Sequence, residues 1–464
     1  MRIVVCIKIV EGELNPFDAC ALEAALRIEG GEVTVLSMSP MSAAEKLRAL
    51  TRLGVKAVIL LSDKAFAGSD TLATSYILSR QLQKMEYDLI LCGRQSIDGD
   101  TAQVGPALAA KLGLGLITNV LEITSLTEQS IACRTRMGEE EANLPALLTV
   151  ERINTLRFPS IRSRLGEITV IDNAALGADP ARCGLSGSPT RVLKVTENRS
   201  GLRKCRYVKP EELRDLLKVL SKADQADGNT VALPCEKRMK SVAAVGNTVL
   251  PVAKALGETV TLIAPDTPEH MAEAIRKIAP DAVLWNADLW GRKYAPMVAA
   301  MLDVGLCADC TSLETDGEQL IMIRPAKGGN VMGRIVSLTK PQMATVRCET
   351  QGGELMLAGG RGVAEQYELF CSLAKHLGAE IAASRALVDK NVAPYSAQVG
   401  LTGKRAAPRV YLAVGISGAV QHTCAIEGAG AVIAVNPDRS APIFAHADYG
   451  VVGTLEEIAH ALMG

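Results

Sequence analysis

Aromatic residues and net charge are what this sequence has least of. Only 3% of its 464 residues are Phe, Trp or Tyr, and its formal net charge is −1. Few aromatic side chains disfavour aromatic-rich β-sandwiches and stacking platforms for single-stranded nucleic acid. A balanced charge without a basic tail provides no field that would attract nucleic acid. Apolar burial must come mostly from Ala, Val, Leu and Ile, which favours helices packed on β-branched strands.

Long apolar runs and paired cysteines are also lacking. No uncharged apolar stretch approaches the roughly 18 residues of a spanning helix, and the start, MRIVVCIKIV, lacks the apolar core and cleavage site of a leader. The 12 cysteines are scattered singly through a long chain, unlike a disulfide framework. The lone C-x-x-C at Cys307 and Cys310 is best interpreted as coincidence, so we predict no metal site. We expect a cytoplasmic protein that is not embedded in a membrane.

Strand-like and helix-like segments alternate in the first part of the chain, which is typical of βαβ units and a parallel sheet. The strand-like segments are 2–9, 32–37, 56–61 and 87–92, and the helix-like segments are 21–28, 43–54 and 71–84. Around 120–150 the character changes to short segments ending in LPALLTVER (144–152). These segments predict antiparallel ribbons.

The pattern then repeats in the same order, which indicates two related domains. The matching pairs are 87–123 with 280–314, 30–40 with 257–265, and 144–152 with 340–348. A third region again alternates, with strands expected at 356–359, 380–384, 409–415 and 431–436. We therefore predict three α/β domains: two related parallel-sheet domains of nucleotide-binding type and a doubly wound third domain. The predicted boundaries are 1–220, a linker at 221–229, 230–350 and 351–464.

The third region carries the densest set of binding motifs. GISGAVQH (415–422) follows a buried strand and would expose backbone N–H groups to an anion, and QVGLTGK (398–404) adds two glycines and the Thr402 hydroxyl. Asn436 follows the next strand, where a polar side chain could hold a ribose. Together with Arg361 and Arg385, these motifs suggest a bound nucleotide cofactor. Neither a P-loop motif nor a G-x-G-x-x-G after a strand occurs, which excludes those two standard sites.

In their order and spacing, these motifs resemble the electron transfer flavoprotein family. GGRG, SRALVD, QVGLTGK, GISGAVQH, VNPD and APIFAHADYG resemble the flavin domain of the α subunit, and RPAKGGNVMGRI (324–335) resembles the domain before it. NPFDACALEAAL (15–26), SDTLATS (69–75), CGRQSIDGDTAQVGP (92–106) and LRFPSIR (156–162) resemble the β subunit. The chain is therefore similar to a β and an α subunit fused head to tail, and a monomer would be equivalent to an αβ heterodimer.

The resemblance implies FAD bound by the third domain. The implied contacts are Arg361, Ser384, Arg385, Gln398, Val399, Gly400, Leu401, Thr402, Ser417, Gly418, Ala419, Val420, Gln421, His422, Asn436 and Asp448. Reduction places negative charge on a flavin, so positive charge and donors are needed near the ring. Arg385 and His422 are the candidates for that role, with the Thr402 hydroxyl near the flavin N5.

The resemblance also implies a second nucleotide in the first domain, either AMP or a second FAD. The implied contacts are Cys6, Asn15, Asp18, Met38, Ser96, Asp98, Gly99, Asp100, Thr101, Gln103, Val104 and Gly105.

The sequence departs from the family pattern at three places: the short segment EGEL (11–14), Leu401 in place of a Gln, and Thr454 in place of an acidic residue. The domain at 230–350 also lacks one βα unit.

A partner loop is implied at 156–168, where Ile161, next to Arg162, takes the position of the apolar anchor.

The resemblance thus predicts an electron carrier. Its electron donor would be a flavin dehydrogenase of acyl-CoA dehydrogenase type, as in fatty acid β-oxidation, or NADH. Its electron acceptor would be membrane-bound or soluble. The FAD domain would swivel about a pivot near 348–356. Two alternatives stay open: a bifurcating NADH oxidoreductase with two FAD, which would be an enzyme, and a non-redox nucleotide-binding regulator.

Overall fold

The chain divides into two compact units in the computed structural model, which describes residues 1–198, 201–221, 235, 237–348 and 352–464. The first unit comprises Met1–Val195, Pro234–Lys327 and Gly333–Val346, and the second comprises Thr196–Leu233, Gly328–Met332 and Arg347–Gly464. Most of the predicted linker (222–229) and the middle of the predicted pivot (349–351) lie outside the described residues. The domain boundaries stay a prediction.

The first part of the first unit alternates strands with helices. Its strands are β1 (Arg2–Ile7), β2 (Ile9–Val10), β3 (Glu13–Leu14), β4 (Glu32–Met38), β5 (Ala57–Leu61), β6 (Leu89–Gly93), β7 (Gly115–Leu126), β8 (Ser130–Thr135), β9 (Gly138–Asn143), β10 (Ala146–Val150) and β11 (Thr169–Ile171). Its helices are α1 (Pro16–Leu26), α2 (Ala44–Leu50), α3 (Thr71–Leu82), α4 (Val104–Leu112) and α5 (Asn173–Leu176).

These strands form a nine-stranded sheet in the order β11-β5-β4-β1-β6-β10-β7-β8-β9. All pairs from β11 to β7 are parallel, and β7, β8 and β9 form the antiparallel ribbon that the sequence predicts. The prediction is wrong for 144–152, because β10 pairs in parallel with both β6 and β7. All five residues of β10 are buried. A strand buried on both faces belongs inside a parallel sheet rather than in a ribbon.

The chain continues with β12 (Thr190–Glu197), β13 (Arg206–Tyr207) and α6 (Leu213–Leu220). The next strands are β14 (Met239–Val245), β15 (Gly257–Ile263), β16 (Ala282–Asn286), β17 (Leu306–Cys310), β18 (Ser312–Thr315), β19 (Leu320–Ala326), β20 (Val331–Ser337) and β21 (Gln342–Val346), with helices α7 (Leu250–Leu256), α8 (Pro268–Ile278) and α9 (Leu289–Leu302). A further sheet has the order β12-β20-β19-β18.

The strand orders confirm the repeat. In the second repeat (residues 239–346) the parallel order is β15-β14-β16-β21-β17, which matches β4-β1-β6-β10-β7 of the first repeat (residues 2–150) strand for strand. The first sheet extends beyond β4 through β5, whereas β15 is an edge strand, as expected for a missing βα unit. Within the first unit, α9 packs against α4, and Met297 joins the core around Leu108.

The second unit is a doubly wound α/β sheet, as predicted. Its remaining strands are β22 (Leu355–Gly359), β23 (Glu380–Ala383), β24 (Val410–Val414), β25 (Ala431–Asn436) and β26 (Tyr449–Val452), and its helices are α10 (Tyr367–Leu377), α11 (Arg385–Asp389), α12 (Val420–Thr423) and α13 (Leu455–Met463). The order is β13-β26-β25-β24-β22-β23, and every pair is parallel. β24 and β25 are buried throughout, as expected for the centre of such a sheet.

Candidate functional site

The carboxyl edge of the second sheet gathers most of the residues predicted for the cofactor. Because β22 to β26 are parallel, the loops after them meet at this edge, where ligands bind in open α/β sheets. Arg361 follows β22, Ser384 and Arg385 follow β23, Ser417 follows β24, and Asn436 is the last residue of β25. A groove of about 490 Å³ runs along the edge, lined by residues that include Arg361, Gly415, Pro437 and Thr454.

Two glycine-rich loops interlock at this edge. A Cβ on Gly360 would lie 2.0 Å from the carbonyl oxygen of Gly415, whose φ is +64°. The backbones of the loops after β22 and β24 can therefore approach only because both positions are glycine. This close packing places Arg361 and Ser417 on adjacent loops.

The loop at 398–404 is held by its own polar groups. The Gln398 Nε2 donates to the Thr402 Oγ1 at 2.7 Å, and the Tyr395 hydroxyl donates to the Thr402 carbonyl at 2.6 Å. Arg347, which the site prediction omitted, is buried and donates to the Leu401 carbonyl. The Oε1 of Gln398 and the Oγ of Ser384 are buried and form no hydrogen bond with the described residues. Such atoms fit a polar cofactor bound at this edge.

His422 and Arg385, the two candidate cations, have different environments. His422 is buried, its Nε2 lies 3.0 Å from the Tyr411 hydroxyl, and burial lowers its pKa to about 4, although the Val399 backbone opposes the shift. The ring is therefore neutral near pH 7, with one nitrogen that donates a hydrogen bond and one that accepts. The Arg385 side chain is 34% exposed, and its Nε donates to the Asp389 Oδ2 at 3.1 Å. Arg385 is thus the positive group of the two.

Asp448 and Asn436 form hydrogen bonds within the protein, although the resemblance implies that both contact the cofactor. Asp448 precedes β26, so it lies at the amino edge of the sheet, where it accepts from the Arg203 Nη1 at 2.5 Å and the Val432 N–H at 2.8 Å. Asn436 lies at the expected edge, but its Nδ2 donates to the Ile416 carbonyl at 3.0 Å. Thr454 lines the groove and caps α13.

A second pocket, of about 330 Å³, opens at the carboxyl ends of β1, β4 and β6 in the first unit. Ten of the twelve residues predicted for the second nucleotide line it: Cys6, Asn15, Asp18, Met38, Ser96, Gly99, Thr101, Gln103, Val104 and Gly105. The other two brace its loop, since Asp98 pairs with Lys8 at 2.6 Å and Asp100 accepts from Gln95 at 2.8 Å. The short segment 11–14 provides the turn and the second strand of the β2–β3 hairpin, which connects the pocket residues Lys8 and Asn15.

The pocket has further residues that the site prediction omitted. Asp70, Thr71 and Thr74 at the start of α3 line it, as does Arg94, which is buried and lies 3.5 Å from Glu151. Asp70 belongs to SDTLATS, and an Asp before a helical run is an N-cap signal that could have identified it. Its carboxylate accepts from the Leu72 and Ala73 N–H groups.

The two helix N-termini at this pocket differ in how they are capped. Asp70 satisfies the first turn of α3, whereas α4 begins after Gln103 with no capping hydrogen bond from a side chain of the described residues. Val104 and Gly105, at the start of α4, line the pocket. The N–H groups and dipole at the start of α4 are thus suited to an anionic group such as a phosphate.

Two buried polar side chains, those of Asp18 and Asn15, line the pocket. The Asp18 carboxylate accepts from the Lys8 N–H at 2.8 Å and the Gly93 N–H at 3.1 Å, and burial raises its pKa to about 7 despite these bonds. Asn15 is 1% exposed, its Nδ2 donates to the Gln95 carbonyl, and its Oδ1 accepts no hydrogen bond from the described residues. The Asn15 Oδ1 can therefore accept from a ligand's amino group.

The predicted partner loop has fixed ends and an exposed middle. Arg157 donates to the Glu23 carboxylate through its backbone N and its Nε, both at 3.0 Å, and Gly166 N donates to Thr51 at 2.8 Å. Burial raises the pKa of Glu23, but the hydrogen bonds from Arg157 and Arg27 outweigh it and hold the value at about 2. Between these anchors, Phe158 and Ile161 are 94% and 98% exposed.

Comparison with known proteins places these features in a family. A model of the electron transfer flavoprotein domain matches residues 3–176 and 261–367, and one of the electron transfer flavoprotein FAD-binding domain matches residues 351–427. The first domain model thus matches both repeats. None of the helices in the described part of the chain has the length and apolar composition of a membrane-spanning helix.

Curated relatives align separately with the two halves. The electron transfer flavoprotein β subunit of Megasphaera elsdenii is 43% identical over 202 residues, which cover 39% of this chain and 74% of that protein. Protein FixA of Azotobacter vinelandii is 45% identical over 201 residues, covering 39% and 72%. The α subunit of Thermoanaerobacterium thermosaccharolyticum is 35% identical over 248 residues, covering 42% and 75%. The chain therefore belongs to the electron transfer flavoprotein family, with a β-type half followed by an α-type half in one polypeptide.

Proposed function

We propose that this chain is an electron carrier with FAD at the carboxyl edge of the second sheet. The observation that carries the proposal is the groove that Arg361 lines at this edge, together with Arg385 and the buried Ser384 and Gln398 oxygens in the part matched by the FAD-binding model. Bound FAD would supply reversible electron transfer. Arg385 would stabilise negative charge on the reduced ring, while His422 and Thr402 would orient it by hydrogen bonds.

The pocket of the first unit is proposed to hold AMP. Its volume of about 330 Å³ lies near the lower end of the range for small-molecule sites, about 300–1,000 Å³, which suits a mononucleotide better than a dinucleotide flavin. The start of α4 would take the phosphate, and the Asn15 Oδ1 would accept from the adenine amino group. A second FAD, and with it bifurcation from NADH, is less well supported.

The electron donor is proposed to be a flavin-containing dehydrogenase of acyl-CoA dehydrogenase type, with a membrane or soluble protein as acceptor. The exposed Ile161, next to Arg162 on a loop with fixed ends, could fill an apolar pocket on that donor. The 12 cysteines are scattered singly along the chain and 8 of them are buried, which supports a reducing, cytoplasmic location.

The test is anaerobic reduction of the FAD-loaded chain, followed by absorbance. We expect a catalytic amount of an acyl-CoA dehydrogenase with its substrate to reduce the flavin, and NADH alone to leave it oxidised. Ile161→Ala should slow this reduction about tenfold with unchanged FAD content, since a central apolar anchor dominates a small interface. Leu165→Ala, which truncates another exposed apolar residue of the same loop, is the matched control and should have little effect.

Two results would contradict the proposal. Stoichiometric flavin reduction by NADH alone would favour the bifurcating oxidoreductase. Failure to bind FAD at all would favour the non-redox regulator.

A further inference from the structure

A buried arginine of the second repeat reaches the pocket loop of the first repeat. Arg324 lies in β19, is 4% exposed and belongs to the first unit, as does the loop. Its Nη1 donates to the Gly99 carbonyl at 2.9 Å and its Nη2 donates to the Asp100 carbonyl at 3.0 Å. Gly99 itself lines the pocket, so one peptide group separates the guanidinium from the cavity.

The loop that Arg324 holds has an unusual backbone. Asp100 and Ala102 have φ of +51° and +53°, a left-handed conformation that residues with a side chain rarely adopt. Such conformations persist when surrounding contacts fix them. The second repeat supplies a further contact, because the Gln103 Nε2 donates to the Leu306 carbonyl at 3.1 Å. The loop therefore depends on the second repeat for its shape.

The charge of Arg324 also needs explanation. Across the part of the chain that the structure describes, no carboxylate lies within ion-pair distance of its guanidinium, and its Nε has no hydrogen-bond partner. Carbonyl groups offset only part of the cost of burying a cation. An anion in the adjoining pocket would complete the compensation, and the uncapped start of α4 faces the same cavity.

We propose that Arg324 is a positioning residue that shapes the 96–103 loop and gives this pocket its preference for a phosphorylated nucleoside over an uncharged one. The proposal rests on the proposed nucleotide site. It implies that the α-type half contributes to a site whose lining residues all come from the β-type half.

The test compares AMP with adenosine. Dissociation constants for both are measured by equilibrium dialysis on the full FAD-loaded chain after removal of bound nucleotide. Arg324→Gln should raise the dissociation constant of AMP about tenfold or more and that of adenosine clearly less, because hydrogen bonds and attraction from a charged group are both lost. Arg324→Lys keeps the charge and should retain part of the preference for AMP. Arg334→Gln, which breaks the part-exposed pair with Glu314, is the matched control and should change neither constant.

An equal rise in the dissociation constants of AMP and adenosine in Arg324→Gln would overturn the proposal, because a purely structural role of Arg324 predicts equal rises. Unchanged AMP binding would overturn it as well. FAD content reports folding of the second unit, and circular dichroism reports folding of the whole chain. If the unsubstituted chain binds neither ligand, the proposed nucleotide site itself fails, which is distinct from a failure confined to the variants.

Discussion

The two repeats of the first unit have the same order in the five parallel strands that they share. At the carboxyl edge of these strands, however, the first repeat has a pocket, whereas the second has a buried aromatic side chain. In the first repeat, Cys92 near the end of β6 lines a pocket and lies opposite Cys6 in register. In the second repeat, Trp285 takes the corresponding place in β16, is fully buried, and stacks on Trp290 with ring centroids 6.0 Å apart. Where one repeat has a thiol facing a cavity, the other has an indole within its core.

The loops that follow these strands differ in the same sense. Residues 94–103 connect β6 to α4 and provide much of the pocket wall, whereas only residues 287–288 connect β16 to α9. Asp288 caps α9 by accepting from the Gly291 N–H at 2.7 Å, while α4 has no such cap among the described residues. Loop length, side-chain volume and capping therefore determine which copy of the fold can bind a nucleotide.

Replacing the large side chain of the closed repeat should have the greatest effect. Trp285→Cys removes a fully buried ring and leaves a cavity, so the free energy of unfolding should fall by about 3–5 kcal/mol. Urea denaturation followed by circular dichroism measures this loss. Trp290→Cys, at a half-buried position, should cost less.

The same variant tests whether a cavity alone is enough for the second repeat to bind a nucleotide. We expect Trp285→Cys to gain no second AMP, because the short 287–288 loop and the Asp288 cap remain. A second equivalent of bound AMP would contradict the importance we assign to the loop.

The converse substitution should close the open repeat. Cys92→Trp places an indole in the cavity of about 330 Å³, and AMP affinity should fall about 100-fold, or about 2.7 kcal/mol. Equilibrium dialysis measures the affinity. Cys92→Ser keeps the pocket open and should bind AMP almost normally. Normal AMP binding by the Trp variant would mean that the nucleotide lies elsewhere.

The open repeat should also show a pH dependence that comes from its buried carboxyl. Burial raises the pKa of Asp18 from 3.8 to about 7, so the folded chain binds more protons than the unfolded chain between these values. Its contribution to the free energy of unfolding is full below about pH 4 and is lost as the pH rises to about 7, with a slope of up to about 1.4 kcal/mol per pH unit.

Asp18→Asn removes this titration. Denaturation of the nucleotide-free chain at several pH values should therefore give a flatter dependence in the variant. Identical slopes in the two proteins would show that Asp18 does not titrate in this range.

The sequence predicted the fold well where periodicity and repetition were informative. The strands of both repeats and the doubly wound second unit follow from buried β-branched runs between helices. LPALLTVER was misassigned because a short apolar run does not reveal whether its neighbours are parallel. The pairing that places it between β6 and β7 joins residues far apart in the chain.

The sites were predictable as motifs but not as geometry. QVGLTGK and IDGDTAQVGP indicate glycine-containing loops that could bind a ligand, yet Asp448 was placed with the cofactor although it lies at the amino edge of the sheet. Arg324 and Arg347 lie in stretches with a recognisable pattern, but their roles were not predictable, because each acts on a backbone carbonyl brought near by folding. The neutral state of His422 likewise depends on burial, which a sequence does not display.

The most direct test of the account is the cofactor content of the purified chain. The protein is prepared anaerobically, incubated with excess FAD, freed of unbound ligand and denatured, and the released nucleotides are separated and quantified. The account predicts one FAD and one AMP per polypeptide, with AMP alone lost in Cys92→Trp. Two FAD without AMP would contradict the assignment of the first pocket, and no flavin would contradict the electron-carrier function.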